Sequence, residues 1–185
     1  AAGLIESDLE VAFYSNPELI SVDGRAGATG SAPKFIKSAT YITSFFSLLR
    51  ARKVLKERKW ISLIITGGLR HPADFAKAMA LGADGVAVSN AAIQAIGCLG
   101  MRACQTNNCP VGIATQKPHL RARLPVDIAA ERLARFFSAA VELMTVVARA
   151  AGHRHLSEFS VDDLTTFKSD MAQLTGVAYG GVGIG

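Results

Sequence analysis

The three cysteines of the chain lie close together in the stretch GCLGMRACQTNNCPVGIATQ, which runs from Gly97 to Gln116. Five residues separate Cys98 from Cys104, and four separate Cys104 from Cys109. Three thiols cannot all pair in disulfides, and in a reducing compartment clustered thiols serve metal or redox chemistry more often than cross-linking. The stretch therefore predicts a site that uses sulfur chemistry.

Several kinds of site are open to these cysteines. A zinc site normally has four ligands, often in C-x-x-C pairs, and His71 and His119 do not complete such a spacing. A nucleophilic thiol would need only one cysteine, and unligated structural thiols are rarely so clustered. Thiolates on a tight loop suit an iron–sulfur cluster, and three ligands favour a three-iron cluster or a four-iron cluster with an outside ligand.

Two further loops have the composition of an anion site. Gly67 and Gly68 follow an apolar run, and Ser89 and Asn90 open a short helical stretch one unit later. Glycines allow the backbone to approach an anion closely, and the amides at the start of a helix point towards it. The two loops together predict a phosphate site, although a Gly-Gly pair alone is equally typical of a tight turn.

Short apolar strands alternate with helices along the chain, which predicts a parallel α/β sheet with ligands at the carboxyl ends of the strands. The expected elements are a strand over 18–24, a helix over roughly 42–59, a strand over 61–68, a helix from Pro72, a strand over 84–89 and a short helix over 90–97. A barrel needs eight such units. The sheet is therefore either open or the last part of a longer protein.

The region after the cysteines has a different character. Residues 127–152 predict one long helix, and Ser160 opens a capped helical turn. The apolar stripe of the long helix is expected to pack against the core, and its members are Ile128, Leu133, Phe136, Phe137, Ala140, Val141, Met144 and Val147. Residues 178–185 are expected to form a flexible tail. The chain thus divides into 1–125, with the sheet and cysteine loop, and 126–185, with the helical extension and tail.

Charge and hydropathy exclude other classes of protein. The net charge is +5, but the one dense basic run, residues 50–59, has the pattern of a solvated helix face, so nucleic acid is not an expected partner. No run of eighteen apolar residues occurs, so no membrane span is expected. No signal peptide is recognisable, and we expect a cytoplasmic protein.

The run CLGMRACQTNNCPVGIATQ resembles the cluster-binding segment of the glutamate synthase family, which has the pattern C-x(5)-C-x(4)-C-P-V-G-[VI]-A-T-Q. The loop end GATGSAP is similar to that family's GGTGASP. The run TGGLRHPADFAKAMALGADGVAVSNAA resembles phosphate-binding barrel loops, including those of inosine monophosphate dehydrogenase. The resemblance covers about residues 20–123.

The resemblance implies a synthase domain that binds FMN and a [3Fe-4S] cluster and forms L-glutamate from 2-oxoglutarate and ammonia. It implies that the chain is the C-terminal portion, about three βα units, of a (β/α)8 TIM barrel with a helical C-terminal extension, inactive alone. Carried over residue by residue, Cys98, Cys104 and Cys109 would hold the cluster. The FMN phosphate would be held by Gly67, Gly68, Ser89 and Asn90, and the flavin and substrate pocket would be lined by Gly27, Thr29 and Gly30.

The implied partners are 2-oxoglutarate or a similar small substrate, an electron donor (a reductase subunit or ferredoxin) and a glutaminase subunit or domain. Two alternatives stay open: a related FMN oxidoreductase with another amino or imino acid substrate, and a non-catalytic iron–sulfur electron-transfer protein. An inosine monophosphate dehydrogenase-like enzyme would need a catalytic cysteine after its sixth strand, and the loop DGRAGATGSAP has none. No general acid–base pair stands out, so no catalytic residue is assigned.

Overall fold

The computed structural model describes residues 3–24, 32 and 42–181. Its helices are α1 (Ile5–Phe13), α2 (Ser44–Val54), α3 (Pro72–Ala80), α4 (Asn90–Ala95), α5 (Pro118–Arg121), α6 (Val126–Ala150) and α7 (Ser169–Thr175). Its strands are β1 (Leu19–Asp23), β2 (Ser62–Thr66), β3 (Gly85–Val86), β4 (Thr165–Thr166) and β5 (Ala178–Tyr179). Short 3-10 helices occur at Cys104–Thr106, Leu156–Glu158 and Val161–Asp163.

The central sheet is parallel, with the order β1-β2-β3. It confirms the predicted α/β class. β1 pairs with β2 along its whole length, whereas β3 pairs with β2 only through Gly85 and Val86. The third strand is shorter than the predicted 84–89, and beyond Val86 its ladder to β2 continues with the bond from the Ala87 N–H to the Ile65 carbonyl at 2.9 Å. The carboxyl ends of all three strands lie at one edge of the sheet, and the described loops after β2 and β3 begin there.

The main hydrophobic core lies on one face of this sheet. Leu63 and Ile65 of β2 are fully buried there, together with Leu48 of α2 and Leu55 at its end. The intervening Ile64 is only partly buried, although the apolar run of β2 predicts burial on both faces. Burial alternates along β2 because the described residues cover one face of the sheet more fully than the other.

The long helix α6 packs on α3 and α4, but by a different set of residues from the one predicted. Ala140 and Met144 are buried as expected, and Ala129 and Ala148 join them. Four larger members of the predicted stripe are 41–53% exposed, namely Ile128, Phe137, Val141 and Val147. The prediction of core packing is wrong for these four, because mainly small side chains form the contact line and the larger ones flank it. No helix among the described residues is long and apolar enough to cross a membrane.

Two features outside the predicted units complete the fold. α1 was not predicted; it buries Ile5 and Leu9, and the Arg50 Nε of α2 donates to its Glu6 Oε1 at 2.6 Å. Near the C-terminus, β4 and β5 form a second parallel pair. The expected flexible tail therefore begins with a hydrogen-bonded strand, whose ladder extends to the Gly180 N–H bond with the Thr166 carbonyl.

Candidate functional site

The three cysteines line one pocket. The pocket is open to solvent. Its other lining residues are Leu99, Met101, Arg102, Ala103, Pro110 and Val111. Cys109 is buried, with 8% of its surface exposed, and Cys98 and Cys104 are half-buried. The fold therefore brings together the three side chains whose spacing suggested a shared site, and it presents two of them towards solvent.

The arrangement of these thiols discriminates between kinds of metal centre. Within residues 3–24, 32 and 42–181, no group of three His, Cys, Asp or Glu side chains is placed to hold a single metal ion. An iron–sulfur cluster makes a different demand, because each thiolate binds a different iron atom and the sulfurs need not converge on one point. Three thiol side chains in one pocket are the kind of donor set that iron–sulfur clusters use.

The backbone amides that follow Cys109 influence the pKa of its thiol. Burial raises the pKa of the Cys109 thiol, but hydrogen bonds from the N–H groups of Ala114, Val111, Ile113 and Gly112 lower it more, so that the pKa lies below its usual value. Successive amides that converge on one atom form an anion-binding nest of the kind found at iron–sulfur sites. We call residues 111–114 the amide nest. The lowered pKa of the Cys109 thiol thus follows from the fold of the loop itself.

Gly112 lets the amide nest lie against α5. Its φ angle is +79°, and a Cβ atom there would lie 2.5 Å from the carbonyl oxygen of Leu120 and 3.0 Å from that of Arg121. Only glycine combines this backbone conformation with so close an approach. Position 112 therefore requires glycine, because the loop lies against the backbone of α5 there.

The predicted phosphate loops lie at the carboxyl edge of the sheet. Gly67 and Gly68 both have positive φ angles, of +100° and +77°, and only Gly68 is exposed. A Cβ atom on Gly67 would lie 2.6 Å from the carbonyl oxygen of Gly24. The buried Ser44 hydroxyl, which the sequence analysis missed, donates to the Gly67 carbonyl. Gly67 is therefore required by protein packing, and Gly68 is the glycine that can present its backbone to a ligand.

The second phosphate loop opens α4. Ser89 and Asn90 are both exposed, and the Ser89 side chain makes no capping hydrogen bond to the helix. Since β2 and β3 are parallel neighbours, the Gly68 and Ser89 loops follow adjacent strand ends. The remaining predicted pocket residues, Gly27, Thr29 and Gly30, lie outside the described residues.

The sequence model described as the conserved region in glutamate synthase matches residues 1–154. This chain belongs to the glutamate synthase family. It is 38% identical over 141 residues to the archaeal glutamate synthase (NADPH) of Methanocaldococcus jannaschii, covering 75% of this chain and 28% of that protein. It is 29% identical to the glutamate synthase large subunit-like protein of Rhizobium meliloti, over 94% of this chain and 44% of that protein.

A third relative is the chloroplastic/mitochondrial ferredoxin-dependent glutamate synthase 1 of Arabidopsis thaliana, which is 37% identical over 60% of this chain and 7% of its own length. The chain thus spans less than half of the length of each of these glutamate synthase relatives. The residues matched to the family include the amide nest and both of the exposed loops at the sheet edge.

The two glycines of the first loop are expected to respond differently to substitution. Gly67→Ala should lower the free energy of unfolding by about 3 kcal/mol. The positive φ angle strains any residue with a side chain, and the new methyl group would also clash with the backbone of Gly24. Gly68→Ala should leave folding closer to that of the unsubstituted protein but lower flavin retention. Thermal melting and flavin fluorescence after gel filtration of the complete protein measure the two effects. A Gly67→Ala protein with unchanged melting would contradict the packing role.

Proposed function

We propose that this chain is part of an FMN- and iron–sulfur-dependent oxidoreductase of the glutamate synthase type, which forms L-glutamate from 2-oxoglutarate and ammonia. The observation that carries the proposal is the pocket that three cysteines line together, in a chain of this family. When bound, FMN supplies hydride-transfer chemistry to a 2-imino acid and a [3Fe-4S] cluster supplies single electrons.

The chain's own residues have three tasks in this proposal. Cys98, Cys104 and Cys109 hold the cluster, and the amide nest stabilises negative charge on the Cys109 sulfur. The backbone amides of the Gly68 and Asn90 loops bind the FMN phosphate, since amides at strand and helix ends favour anions. Gly27, Thr29 and Gly30 are assigned to the flavin and substrate pocket by the family resemblance.

We place the chain as the C-terminal portion of a (β/α)8 barrel followed by a helical extension, with the division near residue 125. Three parallel strands in sequential order, with α2 and α3 packed beside them, support this placement. β1 and β3 form the two edges of the described sheet and would pair with further strands of a closed barrel. The extension is attached to the barrel units through the contact between α6 and α3.

The partners of the complete protein follow from the reaction. The names of relatives include both NADPH and ferredoxin, which supports either a reductase subunit or ferredoxin as the electron donor. Ammonia is assigned to a glutaminase subunit or domain, and the protein is assigned to the cytoplasm. The three unpaired cysteines are compatible with a reducing compartment.

Cofactor content tests the proposal. The complete protein, purified without oxygen, is expected to contain flavin, iron and inorganic sulfide, to give an electron paramagnetic resonance signal of an oxidised three-iron cluster, and to form glutamate from 2-oxoglutarate and ammonia. Stoichiometric zinc without sulfide would contradict it. A cluster without flavin would favour the second candidate, a non-catalytic electron-transfer protein, which the half-buried, solvent-accessible position of Cys98 and Cys104 supports. Flavin and cluster without glutamate formation would indicate another amino or imino acid substrate.

A further inference from the structure

We propose that Asn107 and Thr115 form a polar clamp that fixes the loop carrying Cys109 and thereby sets the stability and the reduction potential of the cluster. This inference rests on the proposed function. Neither residue lines the pocket of the three cysteines. Both therefore act through the backbone of the loop.

The clamp consists of hydrogen bonds between the two ends of one short segment. The Thr115 hydroxyl donates to the carbonyl of Asn107 at 2.8 Å and accepts the N–H of Lys117 at 3.1 Å. The Asn107 Oδ1 accepts the N–H of Gln116 at 2.6 Å and lies 3.1 Å from the Thr115 hydroxyl. Thr115 is 7% exposed, so its hydroxyl has little access to water as an alternative partner.

The position of the clamp in the chain gives it control of the nest. Asn107 lies two residues before Cys109, and Thr115 directly follows the nest. Joining the two closes residues 107–115 into a loop that contains Cys109 and the four residues of the amide nest. Between the two ends, Pro110 fixes its own φ angle and Gly112 rests on α5. The clamp therefore joins the two ends of the segment that contains the nest.

Both residue types suit this task. Asn107 adopts a left-handed conformation with φ of 60°, which asparagine tolerates better than most residues. A valine at position 115 would have the shape of threonine but would leave the Asn107 carbonyl and the Lys117 N–H without their hydroxyl partner. The nest amides would then be free to move away from the sulfur.

Hydrogen bonds to a cluster sulfur stabilise the more negative, reduced cluster and raise its reduction potential. Residues that hold such donors change metal affinity by about 10–100-fold when they are replaced. In the complete holoprotein, Thr115→Val is therefore expected to shift the midpoint potential downwards and to speed the loss of iron and sulfide in air by about tenfold. Thr115→Ser keeps the hydroxyl and is expected to retain the original potential.

A matched control lies in the same loop. Thr106 also uses its hydroxyl twice, donating to the Ala103 carbonyl at 2.7 Å and accepting the Asn108 N–H at 3.3 Å, but it does not touch the nest. Thr106→Val should leave the potential unchanged. Asn107→Gly, which keeps the left-handed backbone but removes the Oδ1 acceptor, should shift the potential in the same direction as Thr115→Val.

The midpoint potential is measured by redox titration followed by electron paramagnetic resonance, with iron, sulfide and flavin content determined in parallel. Loss of the cluster from Thr115→Val with flavin retained supports the clamp, as does a lower potential. An unchanged potential in both Thr115→Val and Asn107→Gly, or an equal shift in Thr106→Val, overturns it. An unsubstituted protein without iron and sulfide overturns the proposed function itself, and the clamp with it.

Discussion

Replacing Cys109 with serine is expected to lower the iron and sulfide content of the complete protein by at least about tenfold, and to abolish the three-iron signal. A serine hydroxyl is far harder to deprotonate than a thiol, and its oxygen is a poorer ligand for the iron of a cluster than a soft thiolate. Cys109 is also the cysteine that lies deepest and receives the amide nest. Its removal takes away both a ligand and the charge that the nest stabilises.

The control for this prediction is Ala103→Ser. Ala103 lines the same pocket, so this change adds a hydroxyl there without removing a ligand. Iron, sulfide and flavin should stay at the level of the unsubstituted protein. The cluster assignment would be wrong if Cys109→Ser retained full iron and sulfide, as measured by chemical analysis and electron paramagnetic resonance on protein purified without oxygen.

Gly112→Ala is expected to detach the amide nest from α5. The positive φ angle costs about 1–3 kcal/mol for a residue with a side chain, and the contact of the new methyl group with the Leu120 carbonyl adds about 1–3 kcal/mol. The loop cannot give way locally, because the obstructing atoms belong to the backbone of α5. Cluster content should therefore fall by at least about tenfold, as iron and sulfide analysis would show.

Gly176→Ala separates the two contributions to this effect. Gly176 has a φ angle of +75°, close to that of Gly112, but nothing lies within 4 Å of the position its Cβ atom would take. It should show the cost of the backbone conformation alone and leave the cluster intact. Equal cluster loss in the two variants would show that the contact with α5 is unimportant.

Periodicity and turn residues were sufficient to predict the order of the central elements. Pro72 begins α3 as expected, because proline fits the first turn of a helix. α1 was missed although Ile5 and Leu9 have helical spacing, since its apolar face is only two residues long. The pairing of β4 with β5 was also missed, because strands of two residues carry no alternation that a sequence can reveal.

Some residues of the candidate site could also be predicted from the sequence, and others could not. The cysteine spacing indicated a shared site from the sequence, because soft ligands in a short stretch are chemically distinctive. The reason for Gly67 was not accessible, since its neighbour Gly24 is 43 residues earlier in the chain and meets it only through strand pairing. Thr115 was equally hidden, because a threonine that bonds to backbone groups has no signal in composition or periodicity.

The cysteine loop has little share in the main hydrophobic core. Among the described residues, that core joins α1, α2, α3, α6 and the sheet, and the buried side chains of Cys109 and Leu120 lie outside it. The loop is held instead by bonds within itself and to the residues just after α5, such as the Arg123 bond to the Pro110 carbonyl at 3.2 Å. Such a segment can open while the rest of the molecule stays folded. Its amide protons should therefore exchange with solvent deuterium much sooner than those of β2, and binding of a cluster should slow that exchange selectively.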